Sequence, residues 1–432
     1  MRILRRPITA PGAFTLVEML VAMTASLILF GTVMTIFQML SETVGRSRRA
    51  GRLDEDICGV ITQLRQDLAG VTANKNANGL LCPVPSGVVD GYFEVIEGPN
   101  SDLWDNAGGI VNKALNPLPD RIVGDVDDML FFTTRSVTNQ PFTGKYGVQT
   151  TTSFDAEIAY FCRPTPNTSG PQLYTLYRRQ LLILGSAPVA PFDSRGSMPF
   201  TTWADFYAQY DLSARRERIN GRDYFYLNTA NDLQRRRNRF GHDPWLNGFA
   251  PPNDWPISKV APANPVLAFT GARQNEDTLV TNVISFDVRL LEPDPNACER
   301  IAPNTTKLQP GDRDYWIAGA TNVTSSSTDI YVDLGYNRYA ANNGAATVGW
   351  YFSGYGSVPG LRGDQVSACT YDTWTTYYTS NGNVDDNSGT GDSDEGAPYP
   401  HALPGVQITV RLYDPATKTI RQKTVTQLFR GP

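Results

Sequence analysis

Apolar positions change their period twice along this chain, which divides it into three stretches. From Phe14 to Leu40 nearly every residue is apolar or small, and the one charge is Glu18. A run of about 27 residues exceeds the ~20 needed to cross a bilayer core of about 30 Å, so it predicts a membrane-spanning helix. From Val44 onward Leu53, Ile57, Val60, Ile61, Leu64 and Leu68 recur three and four apart, with Arg52, Asp54, Glu55, Arg65 and Asp67 placed between them. That period marks one buried helical face, and Gly70 is the expected stop. Together the two stretches predict one helix from Phe14 to about Ala69, roughly 80 Å long, its first half in lipid and its second half against a head. Gly31, Gly45 and Gly51 each weaken it by about 1 kcal/mol relative to Ala and mark places for a bend.

Beyond Gly70 the helical period fades, and Gly, Pro, Asn, Asp and Thr punctuate short apolar runs, the pattern of strands and long loops. Strands are predicted at Met129 to Thr133, Glu157 to Phe161, Leu173 to Tyr177, Val280 to Leu291, Val406 to Tyr413 and Thr419 to Leu428. In the fourth, Ile284, Phe286, Val288 and Leu290 alternate with Val283, Ser285, Asp287 and Arg289, which predicts one buried face and one wet face. The last two flank Asp414 to Lys418 and read as a hairpin. Helix first and strands after predicts an α+β fold, an antiparallel sheet packed on the end of the long helix.

The residues around Glu18 carry a more specific signal. A basic leader with Arg2, Arg5 and Arg6 precedes Gly12, Ala13, Phe14, Thr15, Leu16, Val17, Glu18, Met19 and Leu20. This resembles the processing segment of type IV prepilins and type II secretion pseudopilins. The resemblance implies removal of the leader, residues 1–13, by a prepilin peptidase between Ala13 and Phe14, followed by N-methylation of Phe14. Glu18 then stands fifth in the mature chain, as the family has it; a cut after Gly12, the residue type more usual before the scissile bond, would put it sixth. A carboxylate inside a membrane helix costs roughly 2.5–3.5 kcal/mol on insertion scales and therefore needs a partner. The resemblance supplies one, the N-terminus of a neighbouring subunit, making Glu18 an assembly residue. The apolar stretch is too long for the 7–15-residue core of a secretory signal peptide, whereas a plain signal anchor has the same length. Arginines on both sides of the span, including Arg46, Arg48, Arg49 and Arg52, leave its orientation undecided by charge.

By the same resemblance, residues 14–40 form the transmembrane and assembly helix, 41–70 its amphipathic continuation, and 71–432 an extracytoplasmic β-rich head. Its size suits a large minor pilin or a J-type minor pseudopilin, with the surplus in two loop-rich insertions at about 185–270 and 296–403. Expected partners are the peptidase, other pilin or pseudopilin subunits and an inner-membrane assembly platform. The expected location is the inner membrane, single-pass with the head outside the cytoplasm, then a pilus or pseudopilus. A membrane-anchored binding protein for polysaccharide or a protein partner, which never assembles, is the competing reading.

Composition narrows the chemistry further. A net charge of −5 argues against a nucleic-acid surface, so no nucleic acid is expected. The clusters Arg215, Arg216, Arg218 and Arg235, Arg236, Arg237, Arg239 are expected to be exposed beside Asp211, Glu217 and Asp232. Cys58, Cys82, Cys162, Cys298 and Cys369 show no zinc-type spacing; Cys298 and Cys369 are placed to close the second insertion with a disulfide. Asn383, Asp385 and Asn387 alternate ahead of Asp394 and Glu395, an oxygen-rich set suited to calcium, although Ser388 stands where such loops need Gly; a solvated acidic loop is the alternative. No other cofactor is expected. Aromatics dense in the second insertion, among them Trp316, Trp350 and Trp374, read as core anchors ahead of a carbohydrate platform. His242 and His401 belong to no catalytic motif and are expected to be ordinary loop residues, so no enzymatic activity is expected.

Overall fold

The computed structural model describes residues 15–73, 75, 81, 91–96, 126, 128–165, 172–184, 191–193, 195–235, 238–242, 273, 276–291, 299–301, 303–308, 321–323, 331–332, 370–373, 378–379, 394–395 and 403–429. Helix α1 runs unbroken from Leu16 to Ala69. Strands β1 Phe93–Ile96, β2 Met129–Arg135, β5 Asp155–Pro164, β6 Tyr174–Ile183, β10 Thr278–Leu291, β14 Tyr331–Val332, β15 Thr370–Asp372, β18 Gly405–Asp414 and β19 Thr419–Leu428 build one antiparallel sheet. Its order is β15-β1-β2-β5-β6-β10-β18-β19, with β14 pairing on the end of β10. The intervening pieces are the hairpin β3 Phe142–Tyr146 and β4 Gln149–Ser153, a small sheet of β7 Ser197–Pro199, β8 Ala214–Ile219 and β9 Arg222–Leu227, and helix α2 Trp203–Gln209. Short strands β11 Glu299–Ile301, β12 Lys307–Leu308, β13 Thr321–Val323, β16 Tyr378–Thr379 and β17 Asp394–Glu395 complete the described set.

Each face of the sheet carries its own core, because side chains alternate along a strand. On one face the second half of α1 packs across β19, β18, β10 and β2. Leu53, Ile57, Val60, Ile61, Leu64 and Leu68 meet Leu130, Phe132, Tyr160, Phe286, Val288, Ile408, Val410 and Val425 there. On the other face Phe131, Phe161 and Leu181 are covered by Trp203, Phe206, Tyr207 and Phe225 from the segment joining β6 to β10. Burial of each such Leu or Phe contributes about 1.5–3 kcal/mol. The helix ends at its C-cap Gly70, where the sheet approaches so closely that only glycine fits: a Cβ would lie 2.0 Å from the Arg135 carbonyl oxygen.

All six expected strands are present, but β10 departs from the simple alternation. Asn282 has φ 60° and the pairing with β18 shifts between Val283 and Ser285, a β-bulge that inserts one extra residue. Val283 therefore joins Phe286 and Val288 against α1, while Ile284 turns to the opposite face beside Leu173 and Tyr413. The face expected to be wet is covered as well. Ser285 is buried, and Asp287 and Arg289 are mostly buried as an ion pair at 3.1 Å.

Candidate functional site: a bare apolar helix and its anchorage

Among the described residues the first half of α1 packs against no other element. Leu53 is its first buried residue, and Leu16, Leu27, Ile28 and Phe30 are 65–78% exposed. By length and composition this helix is able to cross a membrane. Its polar groups are arranged to tolerate lipid. The hydroxyls of Thr24, Thr32, Thr35 and Thr43 donate to carbonyls one turn back, at 2.7–3.1 Å, so each of these four donors has a partner within the helix, as a lipid setting would require.

Thr15 caps this helix and forms a reciprocal box with Glu18. Glu18 Oε2 accepts from the Thr15 backbone N–H at 2.9 Å and its hydroxyl at 3.0 Å, while the Glu18 N–H donates to Thr15 Oγ1 at 3.3 Å. Among the described residues only one carboxylate oxygen is used. Glu18 also lines a shallow groove with Met19, Ala22, Met23, Ser26 and Leu27. Ala13 and Phe14 lie outside the described residues, so the site is seen from Thr15 onward.

Where α1 meets the head, its last turn is tied down by a buried ion pair. Asp67, placed by its polarity on the solvent side of the amphipathic stretch, is 2% exposed. Its carboxylate takes Arg178 Nε at 2.6 Å and Nη2 at 2.9 Å, the Tyr160 hydroxyl at 2.5 Å and Gln63 Nε2 at 3.0 Å. Burial alone would lower the Arg178 guanidinium, but hydrogen bonds to Asp67 and its charge raise it above its ordinary value. Burial, then the Asp67 charge, pushes Tyr160 well up, so the phenol stays a donor. The spacing Val60, Leu64, Asp67 does put this acid on the buried stripe, the one signal that would have found it.

On the opposite face a second buried cluster fastens the β6–β10 segment to the sheet edge. Arg239 Nη1 donates to Glu94 on β1 at 2.9 Å and to Asp372 on β15 at 2.6 Å, all three at 0% side-chain exposure. The guanidinium lies 3.9 Å from the Tyr92 ring centre. His242, 2% exposed, sits 3.1 Å from Glu94 and edge-on to Phe131. Next to it Glu157 accepts from Tyr92 at 2.7 Å, Ser213 at 2.5 Å and the Phe240 N–H at 2.8 Å. Burial raises the Glu157 pKa despite those bonds. Arg239 is thus buried where exposure was expected, and His242, in a loop as expected, is buried beside it; a neighbouring Arg run suggests solvent, whereas the fold brings two acids from distant strands around one member of it. Three carboxylates converge here, yet solvent does not reach them, so the cluster is a fastening and not a cleft.

Of the first arginine cluster only Arg218 is exposed as expected; Arg215 and Arg216 are largely buried, because Glu217, Asp232 and Asp223 pair with the cluster, while Asp211 pairs with Arg273 instead. Cys298, Cys369, Asn383, Asp385 and Asn387 lie outside the described residues. Asp394 and Glu395 form β17, whose backbone pairs with Tyr378–Thr379. Among the described residues no group of three His, Cys, Asp or Glu side chains is arranged to hold a metal. Compared with known proteins, the chain matches no family model, no curated protein and no solved structure.

Proposed function

We infer that this protein is a non-enzymatic, pilin-like minor subunit of a type IV pilus or type II secretion pseudopilus. The observation that carries the reading is the bare apolar helix with an acid one turn from its start, one of whose carboxylate oxygens is uncommitted among the described residues. A helix of this kind has two states in which its surface is satisfied, lipid and a bundle of like helices. In the second state the free oxygen of Glu18 accepts the methylated Phe14 ammonium of a neighbour, which neutralises both buried charges. A prepilin peptidase releases residues 1–13 first, since the leader would otherwise occupy the N-terminus that pairs. The fastened head then rides on the helix as a rigid load, because Asp67 and the apolar stripe fix the one to the other.

Mass spectrometry of the mature N-terminus from native membranes tests this. A chain beginning at N-methylated Phe14 is the expected result. An intact leader, or a cut beyond Leu40, overturns it in favour of a permanently anchored binding protein or a secreted one.

A further inference from the structure

We propose that the arginines between the apolar span and the head form a collar that docks on an anionic lipid surface. The inference rests on the helix crossing a membrane and is independent of filament assembly.

Arg46, Arg48, Arg49 and Arg52 stand on α1 after the last apolar residue of the span, Val44, and before the first residue packed on the sheet, Leu53. All four are exposed. Arg46 has one weak neighbour, Glu42 at 3.8 Å, with both side chains more than 70% exposed. Arg49 lends its charge to Asp414 in the β18–β19 turn. Among the described residues Arg48 and Arg52 make no ion pair. At about 100° per residue the four spread over roughly 160° of the helix circumference, Arg46 and Arg49 nearest the side of Leu53 and Arg52 and Arg48 beyond them. They therefore form a band around half of the helix at successive heights along its axis.

Depth agrees with this assignment. The stretch between Glu18 and Glu42 carries no charge and spans roughly 35 Å, just over the ~30 Å hydrocarbon core. Arg46 to Arg49 then fall roughly 10 Å past the hydrocarbon edge, and helical side chains lean toward the N-terminus, here toward the membrane. A long guanidinium stem reaches back to the phosphate layer, and Arg52 lies about one Debye length further out. Charge is sorted along the axis. The acids Asp54, Glu55 and Asp56 come next, on the side away from the bilayer, and Asp54 is held by Arg421 at 2.8 Å.

The test uses the full chain reconstituted in phosphatidylcholine bilayers, with trace spin-labelled phosphatidylglycerol or spin-labelled phosphatidylcholine. The readout is the fraction of each label immobilised at the protein. Phosphatidylglycerol should be favoured by roughly 3-fold or more. The preference should fall to about 1 at ~1 M salt, where the Debye length is ~3 Å. It should also fall to about 1 when Arg46→Gln, Arg48→Gln, Arg49→Gln and Arg52→Gln are combined, and persist when all four become Lys. No preference in the natural chain, or full preference in the Gln variant, overturns the collar. Selective loss in inorganic phosphate at matched ionic strength overturns it in favour of a free-ion site. Loss of self-association in the Gln variant with lipid preference intact overturns it in favour of an acidic protein surface. If neither label is immobilised, the membrane span itself is overturned.

Discussion

Asp67 and Arg178, 111 positions apart in sequence, meet as a two-point ion pair between the last turn of α1 and the middle of β6. The carboxylate is 2% exposed and the guanidinium 13%. This contact, with Tyr160 on β5, sets the register at which the helix lies on the sheet. The apolar stripe alone resists sliding less well, since Leu and Ile side chains pack almost equally one turn away.

Replacing Asp67 by Ala strands the buried Arg178 charge and should cost about 3–5 kcal/mol. Guanidinium denaturation of the full chain in detergent, followed by tryptophan fluorescence, measures it. Combining Asp67→Ala with Arg178→Met should return much of the loss, because two apolar groups leave no uncompensated charge. Equal loss in the double variant would show that the pair is not the source.

Arg239→Met should cost a similar ~3–5 kcal/mol, because it leaves Glu94 and Asp372 facing each other without solvent. Its local consequence differs from that of Asp67. Limited proteolysis should open the segment around residues 191–242 first, while α1 stays on its face of the sheet.

Glu18→Gln keeps the capping box, which accepts Glu or Gln equally, but removes the charge. Assembly into sheared filaments should be lost while leader removal and membrane insertion continue. Glu18→Ala should lose assembly too and fray the first turn, at about 1 kcal/mol. Normal filament entry of the Gln variant would remove the assembly role of the acid.

Asp277 supplies a pH dependence. Burial lifts its carboxyl from 3.8 to about 6, only partly opposed by the adjacent Arg179. Between about pH 4 and pH 6 the unfolded chain has lost this proton and the folded chain keeps it, so the contribution to stability falls as pH rises. The fall is on the order of 2–3 kcal/mol; it is absent below about pH 4, where both states are protonated, and complete above about pH 6, where both are ionised. Denaturation midpoints of the natural chain and Asp277→Asn, compared from pH 4 to pH 7, should converge on this pattern; a difference independent of pH would contradict it.

Local pattern was enough to place α1 and the six main strands, because both are written in the spacing of apolar residues a few positions apart. Glu18 is legible as the lone acid of the apolar run, whereas its capping box with Thr15 is seen only in the structure. The sequence by itself therefore determined a long helix, bare and apolar in its first half, followed by antiparallel strands. Tertiary structure decided what the polar residues inside that frame do. Asp67 needed Arg178 and Tyr160, Arg239 needed Glu94 and Asp372, and the face of Ile284 turned on the bulge between Val283 and Ser285. The period of 3.6 puts Asp67 on the buried stripe but names none of its partners, which come from distant strands, and a one-residue insertion reverses side-chain alternation without altering the run of apolar residues.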